Sequence, residues 1–173
     1  MDRASKIAAL VGLATIVASP SPGLAAEGDH AILTGVSYDR LFRRGADAGN
    51  GFGTTLGYRY GLRDEWYLWG EASYCAYLGA GGRTDLLSVF VGAAYAYDTL
   101  TWVPQVFAGV GYQGPIVGPE LRPDFAVVGG IDVEYHRYRE FGVGLRAEYR
   151  YMIRSGDDSS GALAITLYVA RHF

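Results

Sequence analysis

Lysine is almost missing from this chain. Lys6 is the only one, so every other base is arginine. A soluble exterior is normally dense in Lys and Glu, and here half of that material is lacking. Cysteine is as scarce: Cys75 stands alone, which excludes an internal disulfide framework. Basic excess is absent too. Eighteen acids outnumber fifteen bases, the net charge is −3, and no nucleic-acid partner is expected. The N-terminal apolar run Ile7–Ala18 is uncharged but only twelve residues long, short of the ~20 that a spanning helix requires. What is abundant is glycine (25) and tyrosine (14), a combination suited to thin-walled strands with aromatic rims.

The first 26 residues read as an export signal. Arg3 and Lys6 give a charged start, Ile7–Ala18 an apolar centre, and Pro20, Pro22 and Gly23 lead into Leu24-Ala25-Ala26. Cleavage is expected after Ala26, leaving one domain over residues 27–173. Removal takes Asp2, Arg3 and Lys6, so the acids fall from 18 to 17, the bases from 15 to 13, and the charge becomes −4.

Beyond Ala26 the apolar residues recur with a period of two, the signature of strands. Eight such runs are separated by polar turns: about 30–42, 51–62, 65–78, 85–97, 101–112, 124–135, 141–154 and 161–173. The seventh is the clearest. Phe141, Val143, Leu145, Ala147, Tyr149, Tyr151 and Ile153 alternate with Gly142, Gly144, Arg146, Glu148, Arg150, Met152 and Arg154. The eighth carries Leu163, Ile165, Leu167 and Val169 on one face and closes on Phe173, with Arg171 the one polar residue in that register. At a membrane surface Arg171 can extend its head into the lipid headgroups. The runs exceed the 9–11 residues a tilted spanning strand needs. Short connections (63–64, 98–100, 136–140) alternate with mostly longer ones (43–50, 79–84, 113–123, 155–160), as in outer-membrane barrels with short periplasmic turns. Pro104, inside the fifth run, predicts a bulge or a missing ladder bond.

Alternation alone does not separate a membrane barrel from a soluble one, which would put the apolar face inside. The aromatic residues decide. Tyr60, Trp66, Tyr97, Trp102, Tyr135, Phe141 and Phe173 fall at one end of the strands, and Phe42, Phe52, Tyr112, Phe125 and Tyr151 toward the other. Two girdles of this kind match two membrane interfaces. The opposite face is mostly Gly, Ala, Ser and Thr, small enough for a narrow lumen.

That inner face also bears Arg59, Glu71, Asp132, Glu134, Arg146, Glu148 and Arg150. Isolated charges in so narrow a lumen are costly, so these are expected to pair into a network that fills it. The alternative is an ion path. Cys75 is expected as a small lumen filler. His30, His136 and His172 all fall toward the periplasmic rim with no diagnostic partner spacing, so no metal site, cofactor or catalytic centre is expected. Ser155, Asp157, Asp158, Ser159 and Ser160 occupy an outer loop without a histidine at that end, which counts against a hydrolytic enzyme. Asp157 and Asp158 are weak candidates for a divalent cation of lipopolysaccharide. Arg43, Arg44, Arg83 and Arg122 are candidates for its phosphates.

On the signal peptide, the eight runs, the loop asymmetry and the terminal Phe173, the whole mature chain resembles the small eight-stranded outer-membrane barrels of the OmpA/OmpX type, which include porin-family and adhesin-like members. The resemblance implies an all-β, eight-stranded, antiparallel up-and-down transmembrane barrel in the outer membrane of a Gram-negative envelope. It further implies a monomer in contact with lipid and lipopolysaccharide. The assembly machinery is expected to read the C-terminal strand ending at Phe173. A periplasmic peptidoglycan-binding domain is not expected. The expected role is structural or surface interaction without enzymatic activity; a narrow channel for ions or small hydrophobic compounds comes second, and a lipid-modifying enzyme third.

Overall fold

The computed structural model describes residues 28–43, 46–63, 65–79, 82–97, 101–116, 124–138, 140–153 and 160–173. The segment read as a signal peptide lies outside them, as do Arg44, Arg122, Ser155, Asp157, Asp158 and Ser159. Each apolar–polar run forms one strand: β1 (His30–Arg43), β2 (Ala46–Arg63), β3 (Trp66–Gly79), β4 (Gly82–Ala96), β5 (Trp102–Pro115), β6 (Asp124–Tyr138), β7 (Phe141–Ile153) and β8 (Ser160–His172). Each pairs antiparallel with the next, and β8 returns to β1, so the sheet closes into an eight-stranded up-and-down barrel. Closure removes both sheet edges. At the seam His30 and Phe173 exchange two backbone hydrogen bonds of 3.0 and 2.9 Å.

Several strands outrun their apolar pattern. β2 starts at Ala46, five residues before the alternation is visible, because Gly49 and Asn50 continue to pair with Leu41 and Arg40. β1 and β2 therefore pair up to Arg43 and Ala46, and β3 and β4 up to Gly79 and Gly82. Two of the four longer loops expected at that end are thus mostly hairpin. A ladder bond needs only an extended neighbour, not an apolar side chain, so hairpins outside lipid leave little trace in hydropathy. The long connections that remain at this end are 116–123 and 154–159, whereas the other end has 64–65, 97–101 and 139–140. Short turns mark the periplasmic side of such barrels.

Pro104 causes no bulge. It pairs in register with Val133, and its carbonyl accepts a 2.9 Å bond from the N–H of Tyr97, one residue past the end of β4. The missing donor thus falls where the neighbouring strand has run out, the cheap place for a proline. Register shifts occur instead at Leu41/Arg43, Gly61/Arg63 and His136/Tyr138, all near strand ends.

Candidate functional site in the barrel lumen

Strict alternation sends every second side chain inward. Arg59, Glu71, Asp132, Glu134, Arg146, Glu148 and Arg150 all point into the lumen and are buried. They form one chain of ion pairs running along the barrel. Arg59 donates to Asp132 Oδ2 at 2.6 Å and Glu134 Oε2 at 2.7 Å. Arg146 reaches Asp132 Oδ2 through Nε at 3.3 Å and pairs with Glu71 through Nη1. Arg150 binds Glu148 through Nε at 2.6 Å and lies 3.8 Å from Glu71 and 3.9 Å from Asp39. Each arginine also faces aromatic rings. Arg146 lies 4.9 Å from the centroid of Phe107, Arg59 5.3 Å from Tyr168, and Arg150 5.4 Å from Phe90. Ion pairs and ring faces together offset the cost of burying the guanidinium groups.

Two members of this network, Asp39 and Tyr168, are missing from the sequence-derived set. The Tyr168 hydroxyl lies 2.6 Å from Asp132 Oδ1 and 3.0 Å from Glu134 Oε2, and Tyr77 donates to Asp39 Oδ2 at 3.3 Å. Parity would have found both, since Asp39 shares a face with Ser37, and Tyr168 with Thr166 and Ala170. The expectation of a small-residue inner wall is corrected as well. Tyr67, Trp69, Tyr77, Phe90, Phe107 and Tyr168 are all buried inside. Glycines opposite make room for them: a Cβ at Gly144 would collide with the Tyr168 ring, its register partner on β8. Cys75 is a free, buried residue packed with Tyr77 and Leu86.

Two of the three rim histidines, whose spacing in sequence is not diagnostic, share a partner. His30 remains apart, stacked on Phe173 at 5.7 Å. His136 and His172, from β6 and β8, meet with ring centroids 4.8 Å apart. Both aim Nε2 at one oxygen, Glu134 Oε1, at 3.2 and 2.6 Å. Gly142 lies between their strands, and a Cβ there would strike the Glu134 carboxylate. The spacings 134, 136 and 172 reveal none of this, because the meeting depends on the register of three strands.

Outside, the barrel is apolar. Val36, Leu56, Val91, Val110, Ile131, Leu145 and Leu167 are among the exposed belt. Tyr60, Trp66, Tyr97, Trp102 and Phe141 are exposed at the periplasmic end; Tyr135 is half-buried against Trp102 at 4.8 Å, and Phe173 half-buried against His30. Arg171 covers the Phe141 ring at 5.7 Å. Phe42, Phe52, Tyr112, Phe125 and Tyr151 are exposed toward the other end. Water would penalise such a continuous belt heavily, whereas lipid accepts it, and the closed ladder leaves no strand edge unpaired.

The fold is that of the small eight-stranded outer-membrane barrels. Its belt and closed ladder place the chain in the bacterial outer membrane. No protein-family model matches the sequence, and no curated protein does. Among solved structures the barrel is similar to Neisserial surface protein A, with a TM-score of 0.68 and 15% identity over 85% of this chain and 100% of that one. OprG from Pseudomonas aeruginosa superposes with a TM-score of 0.61 at 14% identity, covering 87% and 98%. Ail, the attachment invasion locus protein of Yersinia pestis, does so with 0.57 at 18% identity, covering 85% and 99%. At these identities the likeness concerns the fold.

At the outer end, Arg83 is exposed and already engaged, with Asp85 at 2.8 Å and the Tyr74 hydroxyl at 2.9 Å.

Proposed function

We propose that this is a non-enzymatic outer-membrane barrel with a structural or surface-interaction role and a lumen that does not conduct. The observation that carries the reading is the buried chain of charges from Glu134 to Glu148. Three arginines, each pinned by carboxylates and faced by an aromatic ring, cross the space an ion would have to traverse. Eight strands enclose an interior that side chains just fill. The partners proposed are lipid and lipopolysaccharide around the belt, and the assembly machinery at β8. Ail is an attachment invasion locus protein and the Neisserial barrel a surface protein; both are compatible with work done at the outer rim.

A narrow channel is the second reading. It draws on the outer half of the lumen, where Asp39 Oδ1, Ser73 Oγ and both amide atoms of Gln113 are buried without a protein partner, so that half has hydrogen-bonding capacity to spare. A lipid-modifying enzyme is the third. It would need a base beside the outer loops, and the three histidines of the chain all lie in strands or termini at the periplasmic end. The test is conductance of the purified, folded barrel in planar lipid bilayers. Silence in the native protein, with discrete openings in Arg146→Ala, is the expected outcome. Steady openings in the native protein would replace the first reading with the second.

A further inference from the structure

Glu134, His136 and His172 hold three ligand-type atoms within 4.8 Å of one another. Two imidazoles and a carboxylate form a donor set suited to a divalent transition metal, whereas Mg2+ and Ca2+ prefer oxygen alone. We propose that these three side chains form a transition-metal site, best matched to Zn2+, at the periplasmic mouth of the lumen.

Geometry is the first argument. Ligands bound at ~2.0–2.1 Å in a tetrahedron stand about 3.3 Å from one another. His136 Nε2 is 3.2 Å from Glu134 Oε1, so this edge already fits. His172 Nε2 stands closer, at 2.6 Å, and must withdraw slightly. Its side chain is not fully buried, which leaves it room to do so. The three donor atoms lie within 4.8 Å of one another, so a cation placed among them meets all three after small side-chain shifts.

Preorganisation is the second. The other oxygen of Glu134 is held by Arg59 at 2.7 Å and by the Tyr168 hydroxyl at 3.0 Å. Partners of this kind fix a ligating carboxylate and are worth 10–100-fold in metal affinity where measured. Gly142 keeps the space beside the carboxylate clear of side chain.

Charge is the third. The buried ionisable residues described in the lumen are Asp39, Glu71, Asp132, Glu134 and Glu148 against Arg59, Arg146 and Arg150. Five acids and three arginines leave a formal excess of two negative charges. A divalent cation bound at Glu134 supplies the missing two. Neither histidine is fully buried, and a water as fourth ligand would complete the pattern of three-ligand zinc sites. The site does not depend on whether the lumen conducts.

The test uses the folded barrel without a polyhistidine tag. Calorimetric titration should find one Zn2+ per barrel. Co2+ should give the strong visible absorption of a four-coordinate site, and excess Mg2+ should not displace it. His136→Ala and His172→Ala should each weaken Zn2+ binding by more than ~100-fold, beyond the loss of an outer partner, while His30→Ala leaves it unchanged. A heat-dependent gel shift shows that each variant is folded. The wild-type protein supplies an independent readout, since it has three histidines: on adding Zn2+, imidazole NMR signals of His136 and His172 should move together and those of His30 should not. Failure to bind Zn2+, retention of binding in either alanine variant, or a response centred on His30 would overturn the site.

Discussion

Arg59 answers two carboxylates at once, from a side chain that is itself buried. Removing it would leave Asp132 with the Tyr168 hydroxyl and Arg146 as its one remaining cation, and Glu134 relying on Tyr168 and the histidines. Breaking a buried pair in this way costs roughly 3–5 kcal/mol, because the surviving charge is left without compensation. Arg59→Ala should therefore lower the urea midpoint of unfolding in lipid vesicles markedly, as followed by tryptophan fluorescence. Arg83→Ala is the matched control. That arginine also pairs with a carboxylate, Asp85, but on the exposed outer end, where solvent screens the interaction, and its midpoint should not move. Equal shifts in the two variants would show that burial adds nothing to the lumen network.

A strand of this barrel meets two environments along its length and two across it. β6 shows this well. Asp132, Glu134 and His136 face the lumen, while Val127, Ile131 and Val133 face outward. Ile131 sits opposite Val106 and Ala147, between the girdle residues Phe125 and Tyr135. Ile131→Arg should cost about 2–4 kcal/mol of stability in a bilayer, the value for a cation near the midplane. Leu62, beyond the Tyr60 girdle on β2, is similarly exposed, yet Leu62→Arg should cost only about 0–1 kcal/mol at the interface. Folding titrations of both variants in the same vesicles measure this depth dependence, and a soluble barrel would show none. The alternation of β6 was legible in its sequence. Its extension through Tyr138 and the earlier start of β2 were not, because outside lipid the ladder continues without any hydropathy signal.

For the whole molecule, closure is the property that matters most. β1 and β8 pair along their full length, from Ala31 opposite His172 to Arg43 opposite Ser160, so no strand can peel away without breaking bonds on both sides. A barrel closed in this way should resist detergent at room temperature. An unboiled sample should migrate differently from a boiled one on a denaturing gel, and identical migration of correctly refolded protein would argue against closure. The filled interior adds to this resistance, with buried aromatic rings and arginines spanning the lumen from both walls.

The sequence by itself determined the parity of each strand. A period of two assigns every residue to lumen or lipid, and the girdle aromatics Trp66, Trp102 and Phe141 set the levels of the membrane interface. It also put seven charged residues on the inner face, and Asp39 is an eighth among the described residues. The tertiary structure alone decided which of those residues meet. His136 and His172 are 36 positions apart and on strands separated by β7, and they converge on Glu134 because the register brings Gly142 opposite His136 on one side and Ala170 on the other. Alternation encodes the side a residue faces but not its height in the barrel. Height comes from the stagger accumulated as eight strands close, which is a property of the pairing between strands and not of any one of them.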